Sequence, residues 1–105
     1  MARQFDIVEN RHRAARDLYP FLVILQHDHA TSMPSVVVAP VVHSSKNLVS
    51  RERFHVSLEI GGDRHVAIIE DLAAVPRSHI GQVAGSADSR RYEITRALDM
   101  LFTGI

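Results

Sequence analysis

Seven histidines in a chain of 105 residues invite a search for metal or proton-transfer chemistry. The densest group is His27-Asp28-His29, two imidazoles flanking a carboxylate. A zinc site needs three or four converging ligands, and no histidine pair has the helical spacing of a zinc protease. His55 and His65 flank a glycine pair in a way that makes them candidate cross-strand neighbours and adds further ligands. The residues read best as loop and surface histidines, with no metal and no cofactor expected. His43-Ser44-Ser45 is the nearest approach to a serine and histidine cluster. No glycine-flanked serine elbow and no phosphate-cradling glycine loop accompanies it, so no catalytic residue is expected there.

Cationic side chains gather twice, at Arg11, His12, Arg13 and Arg16 and again at Arg90-Arg91. Twelve Lys and Arg balance twelve Asp and Glu for a formal charge of +0, so no field of the whole molecule draws in nucleic acid or an anionic membrane. Direct nucleic-acid and membrane partners are not expected, and near-zero net charge removes a barrier to self-association without requiring it. Absence of cysteine excludes disulfides and thiolate chemistry. No run approaches the roughly 20 apolar residues that cross a bilayer, and the polar start Met-Ala-Arg-Gln lacks a secretory signal, so a cytoplasmic protein is expected.

The positioning elements follow from periodicity. Phe5 and Ile7 alternate with polar residues and predict a first strand. The apolar run Leu18 to Gln26 predicts a strand that starts after Pro20 and is buried on both faces or at an interface. Val36 to Val42 is a second β-branched run in which Pro40 predicts an edge or a bulge. Phe54, Val56, Leu58 and Ile60, then Gly61-Gly62-Asp63, then Val66 to Ile69 predict a hairpin whose glycines supply positive φ. Asp71 to Pro76 is open between one helical turn and a loop. From Ser86 on the period lengthens: Ile94, Ala97 or Leu98, and Leu101 form one stripe, with Asp88 or Ser89 as N-cap. A single domain of 105 residues, mainly β with a C-terminal helix, is expected. The helix ends in Met100, Leu101, Phe102, Thr103, Gly104 and Ile105. An apolar end of this kind either folds back on the core or is held for a partner, and both options stay open at this point.

Three segments resemble the CcdB family, the toxin half of plasmid addiction modules. Leu98 to Ile105 is similar to the family's apolar terminal helix and Gly-Ile ending, with Thr103 standing at the family's Trp. Asp71-Leu72-Ala73-Ala74-Val75-Pro76, with Ile80-Gly81 following, is similar to its Asp-Met-Ala-Ser-Val-Pro stretch. Gln26 through Pro40 follows the family's order more loosely, with His29 and Ala30 at its paired isoleucines. The resemblance implies an SH3-like β-barrel of antiparallel strands, related to the MazF fold, forming a homodimer without catalytic activity. It further implies poisoning of DNA gyrase through the A subunit and neutralisation by a cognate antitoxin of the CcdA type. The implied gyrase-binding residues are Asp99, Phe102, Thr103, Gly104 and Ile105, with His29 and Ala30 in the loop. An alternative on the same small barrel is a ribonuclease-type toxin, which needs a general base and a cation; Arg51 with Glu52 or His55 is the set available. A further alternative is an inactive copy that only binds an antitoxin.

Overall fold

A computed structural model describes residues 2–28, 33–45 and 54–104. Among these described residues seven strands run in the order β1 (Asp6–Asn10), β2 (Phe21–Ile24), β3 (Ser35–His43), β4 (His55–Ile60), β5 (Asp63–Ile68), β6 (Ala73–Pro76) and β7 (Ile80–Ser86). They are followed by the helix α1 (Arg91–Thr103). All recorded pairings are antiparallel, and the sheet path is β4-β5-β3-β2-β1-β7, with β6 added to β3.

Strand alternation divides the apolar side chains into two layers. Val23, Ala39 and Val41 point into the main core with Ile7, Ile69 and Ile94. Their neighbours Leu22, Ile24, Val36 and Val38 point into a second layer with Val8. Burial on both faces is what the unbroken apolar run of β2 requires, and β2 begins directly after Pro20.

Pro40 does not interrupt β3. It lies opposite Leu22 on one side, while on the other side β3 changes partner, pairing with β6 up to Val38 and with β5 from Val41. A residue without an N–H is tolerated where the ladder hands over from one strand to another. The Asp71 to Pro76 segment is neither a helical turn nor a loop throughout. A 3₁₀ turn covers Ile69–Asp71, and β6 follows, its Val75 facing Val36.

The hairpin forms with Gly61 at φ 60° and Gly62 at φ 86°, and Ile60 faces Asp63. Its register corrects one expectation, since His55 lies opposite Ile68 and not near His65; the cross-strand partners of His65 are Leu58 and His43.

The expected closed barrel is also corrected. The path ends on β4 and β7, which do not pair. Instead the chain leaves β7 through a 3₁₀ turn over Asp88–Arg90 and runs as α1 across the main core against β4 and the Ile69–Asp71 turn. Ile94 and Ala97 thereby join the main core. Neither Asp88 nor Ser89 caps α1: the N-cap is Arg90, without a side-chain bond. Asp88 instead accepts from the Arg91 guanidinium, with Arg91 Nε at 3.0 Å. The same guanidinium lies 5.2 Å from the centre of the Phe5 ring, a cation–π contact that ties the start of α1 to the start of β1. Phe5 holds φ 67°, with its N–H donating to Ile24 and its carbonyl accepting from Ala87, both at 2.7 Å.

Candidate functional site

Because Ile94, Ala97 and Leu98 are committed to the core, α1 presents its other faces outward. Glu93, Arg96 and Met100, three and four residues apart, share one face. With His55, Val56, Ser57 and Arg90 they line a cleft of about 490 Å³. The hairpin register brings His55 opposite Ile68, so the turn that follows β5 carries Glu70 to it. His55 Nε2 lies 3.4 Å from Glu70 Oε2, and the two side chains are 14% and 18% exposed. A carboxylate against one ring nitrogen orients the imidazole and leaves Nδ1 as the nitrogen that can take a proton. Arg90 lies 3.8 Å from Glu93. Arg96 is exposed, makes no ion pair among the described residues and lines the cleft together with Glu93. A base held by an acid, beside a cation, is the equipment for moving a proton while negative charge builds on a neighbouring group.

The end of the same helix forms a second surface. Asp99, Phe102 and Thr103 share a face, and Phe102 is 69% exposed. Gly104 takes φ 74°, and its N–H donates to Met100 O at 3.1 Å, the left-handed close that lets a glycine end a helix. The Thr103 hydroxyl donates to Asp99 O at 2.6 Å, so it is occupied within the helix. The open question at the terminus resolves by residue: Leu98 packs against the core while Phe102 turns outward. Ile105, His29 and Ala30 lie outside the described residues, as do Arg51 and Glu52.

Other sequence candidates separate. Ser45 Oγ lies 2.9 Å from His43 Nδ1, which also accepts the Ser45 N–H at 3.1 Å, a local turn bond. Among the described residues no three His, Asp or Glu side chains come together as metal ligands. No helix among them is long and apolar enough to cross a membrane.

Glu70 and Arg96 were not singled out in the sequence. The glycine turn held the signal for Glu70: pairing Ile60 with Asp63 and counting outward carries His55 past His65 to Ile68, two residues short of Glu70. For Arg96, helical spacing from the buried Ile94 placed it off the core face but could not show which strand it meets.

By sequence alone, no curated protein matches the chain. Among solved structures it is similar to a Mycobacterium tuberculosis toxin, MazF-mt6, at 17% identity with a TM-score of 0.72, covering 92% of this chain and 95% of that one. It is similar to an endoribonuclease in complex with its cognate antitoxin from Mycobacterial species, at 9% identity and TM-score 0.72, covering 96% and 94%. A third structure, described as an Mtb toxin, aligns at 17% identity and TM-score 0.70, covering 91% and 99%. At these identities the likeness establishes the fold. Named endoribonucleases stand on it, which overturns the expectation that a chain of this architecture has no enzymatic activity. The CcdB protein family itself matches residues 4–104, nearly the whole length, and the chain belongs to the CcdB family.

Proposed function

We propose that this chain is the toxin of a toxin–antitoxin module and that it acts by cleaving RNA in the cleft between α1 and β4. The observation that carries the reading is His55, held 3.4 Å from Glu70 and lining one cleft with Arg90 and Arg96. In this reaction His55 Nδ1 takes the proton of a ribose 2′-hydroxyl, and the 2′-oxygen forms a bond to phosphorus. The bond to the 5′-oxygen breaks, leaving a 2′,3′-cyclic phosphate, and the 5′-oxygen takes a proton from water. Arg96, with Arg90, offsets the charge gathered on the phosphoryl oxygens. This reading sets aside the expectation of no nucleic-acid partner: with a formal charge of +0, attraction to RNA rests on the local cations and is sensitive to salt. Endoribonucleases of this fold, one of them bound to its antitoxin, support a toxin restrained by a cognate antitoxin of its own.

A second reading has its own observation. Phe102 is 69% exposed at the end of α1, and large exposed aromatics serve as interface anchors. In that reading a homodimer presents two such ends to the gyrase A subunit. Phe102 and Ile105 are the anchors, Gly104 allows close approach, Asp99 is a polar contact at the rim, and Thr103, His29 and Ala30 complete the set of binding residues.

Induced expression in a bacterial host separates the two. Growth arrest is expected from the unaltered chain, with relief by His55→Ala and none by Phe102→Ala. The reverse pattern would move the conclusion to gyrase, and no arrest from the unaltered chain would contradict the toxin assignment.

A further inference from the structure

A crevice of about 430 Å³ opens over the second apolar layer, on the other side of the sheet from the main core and α1. Leu22 and Val38 form its floor, with Val75 of β6. Its wall is made of rings: His12 and His79 face each other with centroids 4.3 Å apart and planes inclined by 36°, and Tyr19 lines the crevice beside them. One carboxylate lines it, that of Asp71. Asp71 is the last residue of the same 3₁₀ turn that carries Glu70. Glu70 meets His55 on one side of the turn, and Asp71 serves the cavity on the other. Its carboxylate is exposed and has no ion pair or side-chain hydrogen bond among the described residues.

The crevice is held open by bonds that do not occupy it. Asn10 Nδ2 donates to Tyr19 O at 2.9 Å, and Asn10 Oδ1 accepts from the His12 N–H at 3.0 Å. Both ends of the segment that carries the two rings are therefore anchored on β1, which lowers the ordering cost of filling the space.

Three properties select the occupant. An apolar floor suits methylene groups, stacked rings suit a planar group, and a lone carboxylate suits a cation with paired donors. A guanidinium on its aliphatic stem meets all three, since it stacks on aromatic faces and pairs with a carboxylate through two parallel N–H groups. A lysine ammonium lacks the plane, a neutral aromatic leaves Asp71 unpaired, and a phosphate is repelled by it. We propose that this crevice docks an arginine side chain presented, between apolar neighbours, by an extended segment of a partner protein. Neither His55 nor Phe102 lines the crevice, so the inference stands apart from the choice between RNA and gyrase.

The test is an NMR titration of the full chain with the capped tripeptide acetyl-Val-Arg-Val-amide and with its citrulline analogue. Saturable shifts of the His12, His79 and Tyr19 ring signals are expected with the arginine peptide. Affinity should fall at least about tenfold with citrulline or with Asp71→Asn, the scale of a lost charge-assisted hydrogen bond. Asp71 is exposed, so the substituted chain keeps its spectrum elsewhere, and unchanged binding by it would overturn the proposal. So would ring signals that stay fixed at millimolar peptide, or that move when the chain is concentrated alone, which would mark a second copy as the occupant.

Discussion

His55→Ala is expected to lower the rate of RNA cleavage by roughly 10²–10⁴-fold, the usual contribution of a positioned general base. The loss should appear in kcat with KM little changed, because a base that acts on the 2′-hydroxyl contributes to the transition state more than to substrate binding. Glu70→Gln keeps the shape of the pair but removes the charge beside His55 Nε2, and a smaller loss in kcat is expected from it. Arg96→Ala should affect both constants, since the same cation attracts the phosphate and offsets the charge that develops on it. A split of this kind distinguishes a proton-transfer role from a general loosening of the cleft, which would raise KM in all three variants. Single-turnover cleavage of a short RNA by each purified variant measures it.

The second large effect concerns stability. Ile94 is fully buried in the main core with Ile7 and Ile69, and it is one of only two fully buried side chains on α1. Ile94→Ala should destabilise the fold by about 2–5 kcal/mol, combining lost transfer free energy with the cavity left under the helix. That is a large share of the stability of a domain this size. Tyr92, two residues away and 70% exposed, supplies the comparison: Tyr92→Ala should change stability by no more than about 0.5 kcal/mol. Urea unfolding of both variants reads the difference as a shift in midpoint at unchanged slope. Since α1 carries Arg96 on one face and Phe102 on another, loss of Ile94 should weaken either activity together with the fold.

Much of the architecture was legible in the residues because two periods carry it. Alternation predicted the first strand, the strand after Pro20 and the glycine hairpin. The three-to-four spacing of Ile94, Ala97 and Leu101 predicted the terminal helix. What failed depended on partners. Pro40 signals an edge in any single strand, and only the change of neighbour from β6 to β5 explains how it sits in a central one. Closure of a barrel is a property of two strands far apart in sequence, β4 and β7, and nothing local to either records that they stay unpaired while α1 packs against β4 and the Ile69–Asp71 turn. The caps expected at Asp88 and Ser89 give way to Arg90 because both residues belong to a 3₁₀ turn that precedes α1.

The functional surfaces divide along the same line. Resemblance to a family placed attention on Asp99, Phe102, Thr103 and Gly104, and the exposure of Phe102 agrees with a surface held outward. His55 was named among the groups suited to RNA cleavage, but with Arg51 and Glu52, neighbours in sequence. In space it meets Glu70, reached through hairpin register, and shares a cleft with Arg96, brought there by the helix. Both placements need the tertiary fold, whereas the apolar terminus needs only the order of residues.

The most direct measurement is incubation of the purified chain with single-stranded RNA, followed by identification of the new ends, beside an assay of gyrase-linked DNA breaks with the same preparation. Fragments ending in 2′,3′-cyclic phosphate, absent with His55→Ala and unaffected by Phe102→Ala, are the expected result. Intact RNA together with DNA breaks that disappear with Phe102→Ala would contradict the cleft as the centre of action and place it at the end of α1.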